Sequence, residues 1–168
     1  MTEFVEALKQ GHISMYSDIK GNADYTSLVD DAQHQRFNEL LEDAKQKGAT
    51  ITQCLPEGEG RKTPLYVATN LTPNMRICQE EIFGPLLPVH GYRDVDEVIQ
   101  YITERPRPLA CYLFSHDKAV REQVLEQTHS GGVTINDWAG MCLTTRFRLA
   151  AWATQVSAII TAKRVFES

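Results

Sequence analysis

Gln79-Glu80-Glu81-Ile82-Phe83-Gly84-Pro85 is where the chain's regular alternation of strand-like and helix-like segments breaks. Two carboxylates and an aromatic ring are followed by a Gly-Pro pair. Glycine reaches backbone angles closed to other residues, and a following proline narrows that choice. The pair therefore predicts a stiff bend at the entrance to a strand, with Gly84 in the special conformation and Phe83 held in one direction. Bends of this kind on a rigid scaffold are favoured places to grip a ligand. Taken alone, the heptapeptide also fits a solvated glutamate pair ahead of a turn, with Phe83 in the core.

The segments on either side give the fold class. Downstream, Leu86 to Gly91 reads as a strand, and Asp94 with Glu97 offers a capping box for a helix that buries Val95, Val98, Ile99 and Ile102. Arg105-Pro106-Arg107-Pro108 ends that helix. Leu109 to Phe114 is almost wholly apolar, as in a strand covered on both faces. Asp117 to Thr128 is helical with Val120, Val124 and Leu125 inward, and Val133 to Asn136 is one more strand. Upstream, Thr2 to Gln10 reads as a helix stopped by Gly11, with Phe4, Val5 and Leu8 on one stripe. Ser17 to Ser27 is a loop. Asp30 or Asp31 caps a helix to about Lys47, with Phe37, Leu40, Leu41 and Ala44 at helical spacing and Gly48 as its stop. Thr50 to Leu55 and Leu65 to Thr69 are strands. Strands and helices joined by short connections predict an α/β fold, a mainly parallel sheet with right-handed crossover helices. Ligands in such sheets bind beyond the carboxyl ends of the strands, where Asn136 and Asp137 lie.

Composition narrows the function classes. The 168 residues fit one sizeable core, with 42% hydrophobic and 23% charged residues. A net charge of −5 gives no electrostatic footprint for nucleic acid or an anionic membrane. Apolar runs are too short to span a bilayer. Met1-Thr2-Glu3-Phe4 shows no basic segment followed by an apolar one, which points to the cytoplasm. Cys54, Cys78, Cys111 and Cys142 have no C-x-x-C spacing, and Cys54 and Cys111 read as buried reduced thiols. The histidines His12, His34, His90, His116 and His129 do not pair at i,i+4, so no metal site is expected. Gly58 and Gly60 precede Arg61 and Lys62, but the loop lacks a phosphate-binding pattern and reads as solvent-facing.

Gln79 to Pro85, continued by Leu86-Leu87-Pro88-Val89, resembles the E-E-I-F-G-P motif of aldehyde dehydrogenases. The likeness runs on through Arg105-Pro106-Arg107-Pro108-Leu109-Ala110 and Thr128-His129-Ser130-Gly131-Gly132-Val133-Thr134-Ile135-Asn136-Asp137. Upstream, Asn22-Ala23-Asp24-Tyr25-Thr26 and Arg36 with Leu40-Leu41 fit the same pattern. The R-P-R-P-L-A and S-G-G-V-T-I-N-D forms resemble most the coniferyl-aldehyde dehydrogenase branch. The resemblance covers roughly residues 3 to 137, so 1–137 is expected to be part of that family's catalytic domain. It implies NAD(P)-dependent oxidation of an aldehyde, such as coniferyl or another aromatic aldehyde, to the acid. NAD or NADP is the implied cofactor, an aldehyde the implied substrate, and a homo-oligomer the implied assembly. Glu81 would accept hydrogen bonds from the nicotinamide-ribose hydroxyls, and Phe83 would pack beside that ribose. Asn136 and Asp137 receive no chemical role.

The family's attacking cysteine lies in a G-Q-x-C-type segment, and no cysteine here sits in one. By register it would precede Met1, as would the glutamate base and the nucleotide-binding domain. The expectation is a fragment with no catalytic residue of its own, inactive in isolation, with Glu81 and Phe83 alone too little to bind NAD(P) tightly. The alternative is a non-catalytic remnant, or an interaction module that associates with a full-length relative. The likeness stops at Trp138. Ala150 to Ala162 is apolar enough for a helix of its own. A one-base displaced reading of the codons instead lets Ala150-Ala151-Trp152-Ala153 encode G-G-V-G and Ile159-Ile160-Thr161-Ala162 encode H-Y-H-G, the family's next segment. Residues 138–168 are therefore expected to be a frame-shifted, loose or loosely helical tail.

Overall fold

The structure is a computed structural model in which residues 1–137 and 160–162 are described. It divides into two compact units, Met1–Gly91 and Tyr92–Ser168.

The first unit is built on α2 (Asp31–Gln46). Asp30 caps it, its carboxylate accepting from the Gln33 amide at 2.7 Å. Phe37, Leu40, Leu41 and Ala44 are buried as the spacing requires, and the chain leaves the helix through Gly48 at φ 92°. These four residues pack with Tyr66, Ala68, Met75, Ile77 and Leu86 in one core. The sheet beside it has the order β1 (Thr50–Gln53), β2 (Tyr66–Thr69), β3 (Leu86–Pro88). β2 and β3 are parallel, whereas β1 and β2 are antiparallel with Thr50 opposite Thr69. No helix separates β1 from β2, so the chain turns straight back, and only parallel neighbours need a crossover. α1 spans Thr2–Met15 and does not stop at Gly11. An interior glycine costs a helix about 1 kcal/mol. Here His12, four residues beyond Leu8, extends the packed stripe and is buried, so packing overrides the stop.

In the second unit, α3 (Val95–Thr103) is capped by Asp94, which accepts from the Glu97 amide at 3.0 Å. Glu97 reaches back one residue further than a capping box requires and accepts from the Arg93 amide at 3.0 Å. β4 (Cys111–Phe114) and β5 (Val133–Ile135) are parallel, joined through α4 (Lys118–Gln127), which Asp117 caps. Ile99, Leu113 and Val124 form the core, with Val95 against it. Two expectations change. β4 alternates buried and half-buried residues, and it is β2 whose Tyr66, Val67 and Ala68 are all buried. Leu125 is not inward but 43% exposed. Periodicity cannot tell which of two adjacent apolar residues, Val124 or Leu125, faces the core.

Most tail expectations fall outside the described residues. Where they can be compared, Ile160–Ala162 form a strand, β6, parallel to β4 on the side away from β5, and not the end of a helix. With β2–β3, β4–β5 and β4–β6 parallel, the α/β class holds. Among the described residues no helix is long and apolar enough to cross a membrane.

Candidate functional site

The loop 79–85 leaves a 3-10 turn, Arg76–Cys78, and enters β3. Its far end is pinned by the sheet: the Tyr66 amide donates to the Pro85 carbonyl at 2.8 Å. Its near end is pinned by charge. Arg76 donates to the Glu80 carboxylate from Nε at 2.7 Å and from Nη2 at 3.2 Å, and Arg36 of α2 approaches the same carboxylate at 3.3 Å. Arg36 also donates to two backbone carbonyls, Nη2 to Glu81 at 2.5 Å and Nη1 to Ile82 at 3.0 Å.

The two glutamates thus have opposite environments. Glu80 is consumed by two arginines. The half-buried Glu81 makes only a backbone bond, and no described residue pairs with its carboxylate. Two residues on, Phe83 stands at φ 48° with 73% of its surface exposed. A left-handed conformation costs a residue with a Cβ about 1–2 kcal/mol. A hydrogen bond involving a charged group contributes about 1.5–3 kcal/mol, so the two carbonyl bonds from Arg36 suffice to hold the turn. The expected roles of Gly84 and Phe83 are exchanged: Phe83, not Gly84, takes the left-handed angles. Gly84 is there for space. A Cβ at that position would lie 2.5 Å from Cδ2 of Phe37, whose side chain is fully buried. Phe83 does not join the core.

Glu80 gives the loop a pH dependence. The hydrogen bonds from Arg76, reinforced by the charge of Arg36, hold its carboxyl below the ordinary value of 4.5. A depressed folded-state pKa stabilises the fold fully above the unfolded value and loses that contribution as pH falls through the folded one. The expected result is a loop that loosens only once the pH has fallen below that ordinary value of 4.5. Exchange of the Glu80 amide, which donates to the Arg76 carbonyl at 2.9 Å, followed from pH 6 to pH 3 checks this, and loosening that begins near pH 6 would contradict it.

Pro85 also lines a cleft of ≈ 340 Å³ with Tyr16, Tyr25, Leu28 and Thr63 among its walls. The Tyr25 hydroxyl donates to the Thr63 carbonyl at 2.8 Å, and its ring meets that of Tyr16 edge-on at 5.0 Å. His12 packs behind both rings; burial lowers its pKa, and its Nε2 finds no hydrogen-bond partner among the described residues. In the glycine loop, the Gly58 amide donates to the Lys62 carbonyl, Lys62 donates to the Asn22 carbonyl, and Arg61 lies 3.7 Å from Asp31. Its cations are thus engaged within the fold.

Cys54 and Cys111 are buried, and burial raises both pKa values, the wrong direction for a thiolate nucleophile. Cys142 lies outside the described residues. Among the described residues no group of three or more His, Cys, Asp or Glu side chains could hold a metal ion. Asn136, given no role from sequence, has a structural one. It sits at φ 54° beyond β5, its Oδ1 accepting from the Ser115 amide at 2.9 Å and its Nδ2 donating to the Ser115 carbonyl at 3.1 Å. It ties the carboxyl ends of β4 and β5 together. The residue the sequence left without a task is Arg36. Its only local signal is a cation beside the buried Phe37, since every contact it makes in the loop is more than forty residues away.

Residues 1–147 match the model of the aldehyde dehydrogenase family, a match that runs past Asp137. A probable coniferyl aldehyde dehydrogenase of Pseudomonas aeruginosa is 42% identical over 135 residues, 80% of this chain and 28% of that protein. Among solved structures, the substrate-bound state of Staphylococcus aureus AldH superposes with a TM-score of 0.71 at 32% identity, covering 81% of this chain and 30% of the other. An NAD-dependent benzaldehyde dehydrogenase from Corynebacterium glutamicum gives 0.69 at 28% identity, covering 88% and 30%. The chain therefore spans under a third of the length of these relatives.

Proposed function

The chain belongs to the aldehyde dehydrogenase family, and from that premise we propose that it supplies the nicotinamide-ribose wall of an NAD(P)-dependent enzyme oxidising an aromatic aldehyde of the coniferyl type to the acid. The observation that carries this reading is the contrast between neighbours: Glu80 is fully engaged, while the Glu81 carboxylate, beside an outward-held Phe83, has no partner among the described residues. An ionised carboxylate is an acceptor only, and its two oxygens suit the two hydroxyls of a ribose diol. An exposed aromatic face on a fixed backbone suits the sugar and ring stacked next to it. NAD(P) bound there would supply the hydride acceptor. The chain's own part is to accept the diol hydrogen bonds at Glu81, to limit the tilt of the ring with Phe83, and to keep water from that side.

This wall is a small share of a dinucleotide site, and binding must also offset lost translational freedom. None of the four cysteines lies in a G-Q-x-C-type segment, and burial raises the thiol pKa of Cys54 and Cys111. The 168-residue chain by itself is therefore expected to show no micromolar affinity for NAD or NADP in calorimetry and no aldehyde-dependent NAD(P)H formation with coniferyl aldehyde. Saturation-transfer NMR with nicotinamide mononucleotide tests the wall directly. Expected are contacts at about millimolar affinity, worth roughly 4 kcal/mol, that disappear in Glu81→Gln and in Phe83→Ala. Contacts indifferent to both substitutions, or brisk turnover by the chain alone, would overturn the reading.

A further inference from the structure

α2 carries two stripes, and only the apolar one serves the core. On the other, Arg36, Glu39, Asp43 and Lys47 follow one another at helical spacing, and each holds part of the segment that leads into the site. Lys47 donates to the Asn74 carbonyl at 2.7 Å, Asp43 accepts from the Arg76 amide at 2.9 Å, and Glu39 faces the Arg76 guanidinium at 3.8 Å. Arg36 closes the series on Glu80, Glu81 and Ile82. The helix is thus a template along which residues 74–82 are laid, and Arg36 is the member next to the turn.

We propose that Arg36 is a positioning residue: its guanidinium gathers the carbonyls of Glu81 and Ile82 and thereby fixes the left-handed turn that presents Phe83 beside the Glu81 carboxylate. The guanidinium is itself fixed, because Glu80, which it approaches at 3.3 Å, is held from the other side by two bonds from Arg76. A planar fork can satisfy two carbonyls at once, and a lysine ammonium cannot reproduce that geometry. Successive carbonyls of an extended chain point to opposite sides. Drawing two neighbours onto one side chain bends the backbone there, and the residue that follows the bend is Phe83. That the turn serves a nicotinamide ribose rests on the function proposed for Glu81 and Phe83; that Arg36 makes the turn does not.

The test is NMR of the isotope-labelled 168-residue chain, because a positive φ leaves a strong intraresidue contact between the amide and α protons. Arg36→Met is expected to abolish that signature at Phe83, with the amides of α2 still protected from exchange. Arg36→Lys should not restore the Phe83 signature. Lys47→Ala, at the far end of the same stripe, should leave it unchanged. A signature that survives Arg36→Met, or that is lost equally in Lys47→Ala, would overturn the proposal. If Arg36→Met does not fold, Arg36→Lys decides the matter through the same signal at Phe83. The cofactor reading separates cleanly. If the signature depends on Arg36 while wild-type chain ignores nicotinamide mononucleotide, the positioning role stands and the ribose assignment falls. If mononucleotide contacts are lost in Glu81→Gln yet unchanged in Arg36→Met, the ribose assignment stands and the positioning role falls.

Discussion

Gly84→Ala will destabilise the first unit by about 3 kcal/mol, the upper part of the usual range for overpacking a dense core. The added methyl would stand 2.5 Å from Cδ2 and 3.0 Å from Cε2 of Phe37. Phe37 is 1% exposed, and its ring is flanked by Tyr66 at 6.1 Å between centroids, so it cannot swing clear. The loop cannot retreat either. The Leu86 amide donates to the Gly84 carbonyl and the Tyr66 amide to the Pro85 carbonyl, both at 2.8 Å. Urea unfolding followed by circular dichroism measures the loss, and a change below about 1 kcal/mol, the range of tolerated core swaps, would show that the ring yields.

The partner prediction is larger. Phe37→Ala removes the biggest fully buried side chain of the core and should cost about 3–5 kcal/mol. That is a large share of the roughly 5–15 kcal/mol that ordinarily holds a domain together. The informative variant is the double one. Residues in contact do not add, and here the direction of the departure follows from the geometry. With the ring gone, a methyl at position 84 has nothing to strike and begins to fill the cavity. Gly84→Ala on the Phe37→Ala background should therefore be neutral or slightly stabilising. Full additivity in the cycle would mean that the glycine is needed for its backbone angles, the reading that sequence alone favours.

What could be read in the sequence was what depends on near neighbours. The caps at Asp30 and Asp94, the buried face of α2 and the exit through Gly48 all follow from short-range spacing, and all are present. What could not be read depends on remote contact. Gly84 looks like a bend residue until Phe37, far back in the chain, is seen against it. Arg36 looks like one charge on a polar face until its two carbonyls come from the loop after the sheet's second strand. The direction of β1 is similar: a strand's sequence carries its faces but not its orientation. The proposal of Glu81 and Phe83 rests on family likeness, because nothing local in the sequence distinguishes Glu81 from Glu80. Among the described residues, the two carboxylates differ in that Glu80 is bonded by two arginines and Glu81 by none.

The strand orders of the two sheets set different timetables for assembly. In β1-β2-β3 each strand lies beside its predecessor in the chain, so the sheet can grow outward as the polypeptide emerges, with short closures throughout. In β5-β4-β6 the middle strand is the earliest of the three. One flank of β4 is taken by β5 soon after, but the other waits for Ile160–Ala162. At about 5–20 residues per second of synthesis that wait lasts seconds. Throughout it the unpaired backbone groups of Cys111 to Phe114 are open to any passing strand. The second unit, unlike the first, thus has a period in its own synthesis when a chaperone has something specific to cover.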